Sequence, residues 1–136
     1  MRGFLITLAL LFTATLAQAA GFRFIEVPAD ADGPALRGAM WSACSKTPGD
    51  IDLGNIPVPG VKDCPIDGEK LPLVVISHGR GGSFIGHHDI AETLADAGFV
   101  AAAINHPGDT ASDMSRSSDL SVFIERPTDI KLSSTS

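Results

Sequence analysis

No Gly-x-Ser-x-Gly occurs after Gly82 in this 136-residue chain, so nothing there can build the sharp strand-to-helix turn that exposes a nucleophilic serine. Basic side chains are also few, with 10 Lys and Arg against 16 Asp and Glu. Nucleic acid is a poor partner for such a surface, because that affinity rests on cations neutralising phosphates. The longest apolar run, Phe4 to Leu16, falls short of the roughly 20 residues a membrane-spanning helix needs. Only two cysteines are present, and they lack zinc-site spacing. No internal repeat, metal site or cofactor motif emerges.

What is present begins with a targeting pattern. Arg2, the apolar run and Ala17-Gln18-Ala19 fit a secretory signal peptide over residues 1–20, which implies a secreted or periplasmic protein with no membrane attachment after cleavage. Loss of Arg2 leaves the remainder at a net charge of about −7. In an oxidising compartment the even pair Cys44 and Cys64 predicts a disulfide, with two unpaired thiols as the alternative. A loop of about twenty residues closed in this way gains about 3 kcal/mol in the chain-entropy model. The enclosed stretch 46–60 is dense in proline and glycine and is expected to be a loop without helix or central strand.

Gly21 to Pro28 alternates well enough for a strand, with Phe22, Phe24 and Val27 assigned to one apolar side. After the turn at 30–34, Leu36 to Cys44 is expected to return antiparallel. Leu71 to Ser77 is a β-branched run suited to burial on both faces. Asp89 to Gly98 has a capping-box pattern at Asp89 and Glu92, an apolar stripe of Ile90, Ala91, Leu94 and Ala97, and a terminal glycine. With the apolar run Phe99 to Asn105 this makes a right-handed β-α-β unit. From His106 to Asp119 the chain reads as a loop. Arg126 to Lys131 then resembles a helix start with Pro127 in its first position, while Leu132 to Ser136 looks non-helical.

The segment His78-Gly79-Arg80-Gly81-Gly82, directly after a strand and before a helix, has the pattern that supplies a backbone oxyanion donor in α/β-hydrolases. Arg80, through its main-chain N–H, is the candidate donor, with His78, Gly79, Gly81 and Gly82 as the supporting loop. A dinucleotide fingerprint fails because Phe84 stands at the third glycine position, and a phosphate loop fails because His87 replaces its lysine. Ser83 is a near miss for an elbow nucleophile. His78 is expected to bond neighbouring loop backbone. His87, His88 and His106 are read as structural or exposed, since a metal would need a further ligand such as Asp109 from a flexible loop.

Leu71 to Gly82, His88 to Ala97, Ala103-Ile-Asn-His-Pro-Gly-Asp-Thr110 and Arg126-Pro-Thr-Asp-Ile130 together resemble the secreted dienelactone-hydrolase-like α/β-hydrolases, relatives of the platelet-activating-factor acetylhydrolases. The resemblance spans residues 21–131 and the amino-terminal half of such an enzyme, leaving 132–136 as a non-family tail. It implies an α/β fold: a partial hydrolase sheet with an antiparallel hairpin, then a parallel β-α-β unit, stopping before the nucleophile elbow. It further implies a serine-dependent acyl or ester hydrolase acting on small-molecule esters, with serine, acid and histidine following the region present here. The chain alone is then expected to be inactive. The alternative from another class is a small exported module whose glycine loop captures an anion without chemistry.

Overall fold

The computed structural model describes residues 19–31, 33–54 and 56–135. The expected signal segment therefore lies outside the described residues except for Ala19 and Ala20, which open the first strand. In chain order the elements are β1 (Ala19–Val27), β2 (Leu36–Cys44), β3 (Gly49–Asp52), β4 (Pro57–Lys62), β5 (Leu73–Ser77), α1 (His88–Asp96), β6 (Val100–Ile104) and α2 (Ser121–Thr135). They form one six-stranded sheet in the order β3-β4-β1-β2-β6-β5. The hairpin β1–β2 is antiparallel from Ala19↔Cys44 to Val27↔Leu36, and β5-α1-β6 is a parallel unit with Ser77 opposite Ile104. The antiparallel hairpin followed by a parallel β-α-β unit is the α/β arrangement expected from the sequence.

The core forms where small residues let elements approach. Ala91 and Ala95 of α1 are fully buried against a sheet face built from Ala39, Ala101 and Ala103, with Phe22 and Trp41 beside them. Burying each of those aromatics contributes about 1.5–3 kcal/mol, and Phe22 meets Trp41 edge-on at 5.3 Å. Val27 does not share the face of Phe22, as the sequence suggested; it packs with Leu36 and Ile104 in a separate cluster. Period-2 alternation requires this, since Phe22 and Val27 are an odd number of residues apart. Ile104 is also fully buried. β6 runs antiparallel to β2 and parallel to β5, so it sits inside the sheet, and β3 and β5 form its two edges.

Three local expectations need correction. The segment between the cysteines contains a hairpin, with Gly49↔Gly60 to Asp52↔Pro57. Pro57 and Pro59 are tolerated because β1 meets β4 only at Val61 and Lys62, beyond the prolines, so these positions need ladder partners on one side alone. Helix α1 is capped by His87 rather than Asp89 and lacks a side-chain capping bond. The expected box fails because Asp89 already lies inside the first turn. Its apolar stripe is also narrower than expected, since Ile90 and Ala97 are exposed. The glycine stop does form. Gly98 has φ +89°, and Gly98 N–H to Ala95 and Phe99 N–H to Leu94 complete a Schellman pattern.

Helix α2 begins at Ser121 and continues through Pro127 to Thr135. Asp119 Oδ1 accepts the Ser121 N–H at 2.8 Å, which supplies the start that Pro127 had been assigned. Arg116 adds a two-pronged bond to Glu125 at 2.8 and 2.7 Å.

Cys44 and Cys64 are joined as a disulfide, tying the end of β2 to the strand pair that follows. Replacing both with serine is expected to lower the unfolding free energy by about 3 kcal/mol, measured by urea denaturation under non-reducing conditions.

Candidate active site

The β-branched run of β5 is half-buried at Val74 to Ile76 rather than buried on both faces as expected, because it lies at the sheet edge. It delivers its carboxyl end to the glycine-rich turn, and the loop after the neighbouring strand β6 comes alongside. Parallel pairing dictates this, because both strands finish on the same side of the sheet. Asn105 to Thr110 therefore faces residues 78–84. Asn105 Oδ1 accepts the Phe84 N–H at 2.8 Å, Asp109 Oδ1 accepts the Gly81 N–H at 3.0 Å, and Thr110 bridges Gly82 in parallel fashion. From α2, Arg126 donates to the His78 carbonyl at 2.7 Å and to Asp109 Oδ2 at 2.6 Å. The Asp109 side chain is 1% exposed.

Gly81 has φ +62°, a left-handed conformation that favours glycine, and a Cβ there would strike Met114 Sδ at 2.9 Å. Arg80 is exposed, and among the described residues its main-chain N–H has no hydrogen-bond partner. Gly82 N–H instead closes the turn onto the Gly79 carbonyl. The loop is thus fixed on both sides of the Gly79 and Arg80 amides, neither of which has a partner among the described residues.

His78 is buried. Its Nδ1 donates to the Gly79 carbonyl at 2.7 Å, so its Nε2 is a lone pair that accepts the His106 N–H at 3.2 Å. Protonating Nε2 would set two donors against each other. Burial pushes the pKa down; the Gly79 contact opposes this, and the nearby His106 and Arg126 add to the lowering. For Asp109, burial alone would raise the pKa, but the Gly81 N–H and the Arg126 guanidinium outweigh it and hold the carboxyl low.

A second chain of bonds runs beside the first. Ser77 Oγ lies 2.8 Å from His106 Nε2, and His106 Nδ1 lies 2.8 Å from Asp129 Oδ2. His106 is completely buried and Asp129 nearly so, whereas Ser77 is exposed. The rings of His78 and His106 sit 4.9 Å apart. Sequence reasoning did not single out Ser77, Arg126 or Asp129. It also took Asp109 for a flexible-loop residue, although Asp109 is the buried partner of Arg126. The one available signal was that His106, Asp109, Arg126 and Asp129 all fall within two of the short stretches that carried the family resemblance. Ser83 contributes its carbonyl to Gly86, while His88 pairs with Glu92 at 3.1 Å. No cluster of three metal-ligating side chains occurs among the described residues, nor is any described helix long and apolar enough to cross a membrane.

All of these site residues fall inside residues 39–133, the span matched by the family model for platelet-activating factor acetylhydrolase, isoform II. The chain belongs to that family. Two curated members resemble it in sequence. The platelet-activating factor acetylhydrolase of Cavia porcellus is 37% identical over 60 residues, covering 43% of this chain and 14% of that protein. That of Canis lupus familiaris is 40% identical over 61 residues, covering 44% and 14%. The matched stretch is thus a small part of either relative. A ferulic acid esterase from Streptomyces cinnamoneus shares the fold with a TM-score of 0.55 at 17% identity, over 72% of this chain and 36% of that one.

Two outcomes test this electrostatic account. A histidine held neutral by its fold adds stability that is complete above its ordinary pKa of 6.5 and is lost as the pH falls below it. The melting temperature is expected to decline from about pH 6.5 downward, with that first step missing in His78→Asn. Asp109 adds a further decline in the more acidic range below its ordinary 3.8. Arg126→Ala removes two bonds and strands a buried carboxylate, so a loss of at least about 2 kcal/mol is expected in chemical denaturation at pH 7.

Proposed function

We propose that this chain supplies the oxyanion-binding part of a serine-dependent acyl or ester hydrolase acting on small-molecule esters, and that Arg80 donates through its main chain. The supporting observation is the free Arg80 N–H in a loop clamped at His78, Gly81 and Phe84, within a chain of the acetylhydrolase family. A serine attacking an ester carbonyl concentrates negative charge on one oxygen. A fixed donor at that oxygen lowers the barrier by about 3 to 4 kcal/mol. Because the donor is backbone, His78, Gly79, Gly81 and Gly82 act by shaping the loop.

In this reading the nucleophile sits on a Gly-x-Ser-x-Gly elbow outside these 136 residues, together with the acid and histidine that serve it. The dienelactone-hydrolase-like stretches favour that subgroup. The Cys44–Cys64 disulfide favours an exported, oxidising location, as does the leader pattern of residues 1–20. Metal and cofactor play no part in this chemistry.

The test uses p-nitrophenyl acetate. The chain alone is expected to show no sustained turnover, and co-expression with the carboxyl-terminal half of a full-length family member restores it. In that complemented pair, Arg80→Pro removes the amide hydrogen and should reduce kcat by about 10²–10³ with little change in KM. Sustained turnover by the chain alone that disappears in Ser83→Ala would overturn the reading, as would an Arg80→Pro pair with unchanged kcat.

A further inference from the structure

We propose that Ser77 is itself a nucleophile, accepting one acyl or phosphonyl group from an activated ester. The hydroxyl–imidazole–carboxylate chain carries the inference. Asp129 Oδ2 at 2.8 Å from Nδ1 can only accept, so the His106 proton sits on that nitrogen whenever the ring carries just one. Nε2 is left as a lone pair pointing at Ser77 Oγ, 2.8 Å away. This is the geometry by which a buried carboxylate orients an imidazole to withdraw a serine proton. The parts differ in access: Ser77 is exposed, while His106 has no exposed surface. Reagents therefore reach the base only through the hydroxyl.

Ser77 is not an elbow serine. Val75 stands where an elbow has its first glycine, and the Ser77 φ is not positive. The site is therefore separate from the elbow nucleophile proposed above and does not depend on the role of Arg80.

In the reaction, Ser77 Oγ bonds to the carbonyl carbon as its proton passes to His106 Nε2. The bond to the leaving group then breaks, and an activated leaving group, p-nitrophenolate or fluoride, departs as the anion without reaching Nε2. An activated ester and a hydroxyl thus become acyl-Ser77 and a free anion, with the proton held on His106 between Asp129 and the adduct. A fluorophosphonate reacts likewise, its fluoride leaving as the anion. Hydrolysis of the adduct needs a water touching Nε2. The buried ring beneath an occupied Oγ gives water no approach, so the adduct persists at one equivalent.

The experiment treats the purified, folded chain with an ethyl fluorophosphonate probe and reads intact mass and peptide maps over time. One adduct is expected, on the peptide containing Ser77. It should be absent in Ser77→Ala and in parent protein unfolded in urea, and formed at the parent rate in Ser83→Ala. Asp129→Asn, of nearly the same size but unable to hold the same tautomer, should slow it at least about ten-fold. Circular dichroism melts confirm that each variant compared is folded. No adduct on the folded parent chain, an adduct surviving in Ser77→Ala, or an unchanged rate in Asp129→Asn would overturn the proposal. The companion measurement is nitrophenol release from p-nitrophenyl acetate. A burst of one equivalent supports Ser77 and its absence counts against it, whereas steady release after the burst would count against the proposed division of the hydrolase site.

Discussion

The site depends on a single buried contact, the Arg126 guanidinium on Asp109. Asp109 divides its two oxygens between that cation and the Gly81 N–H, and Arg126 divides its nitrogens between that anion and the His78 carbonyl. Buried ion pairs are weak contributors to net stability, because desolvation offsets most of their attraction. What this pair provides is position. It ties α2 and the loop after β6 to backbone atoms on either side of Arg80. The glycines that make the loop compact would otherwise leave it with more conformational freedom than any other residue type.

Helix α2 illustrates how little of this relies on apolar burial. Leu120, just before it, and Phe123 and Ile124 within it are exposed at 76%, 48% and 78%, and among the described residues Val122 is its buried apolar side chain. Arg126 and Asp129, three residues apart, share a face of the helix and make the polar contacts to His78, Asp109 and His106. Pro127 lies between them, pointing outward. A proline inside a helix costs a backbone bond and about 3 kcal/mol, yet the helix continues because tertiary partners grip it on both sides of the ring. The two polar chains are thus anchored to one face of one helix, and they meet where His106 N–H bonds to His78 Nε2.

What was readable in the sequence was local. The β-branched run of β5, the glycine stop of α1, the hairpin β1–β2 and the Cys44–Cys64 pair each announce themselves over a few residues. The β3–β4 hairpin did not, because proline propensity argues against strands unless one knows which side of each residue must pair. Ser77, Arg126 and Asp129 were missed for a different reason. Ser77 and His106 are 29 positions apart, and Arg126 and the His78 carbonyl 48. No periodicity links residues at such separations. Only the sheet order, with β6 between β2 and β5, brings them together. The glycine loop was recognisable by its pattern, whereas the side chains that hold it came from a loop and a helix with no pattern of their own.

The two edges of the sheet are not equivalent. β3 ends one side as a four-residue strand with exposed Asp50 and Asp52, and short charged edges of this kind resist further pairing. β5 ends the other with Leu73 exposed and Val74 to Ile76 half-buried, an apolar edge with unpaired backbone groups. A strand added there in parallel would also finish beside Ser77 and Arg80, because parallel strands present their carboxyl ends together, and α/β sheets bind ligands at those ends. A parallel partner on the open edge of β5 would therefore stand beside the loop at 78–82 that is proposed above as the oxyanion cradle, so the same edge that lacks a neighbour borders the candidate site.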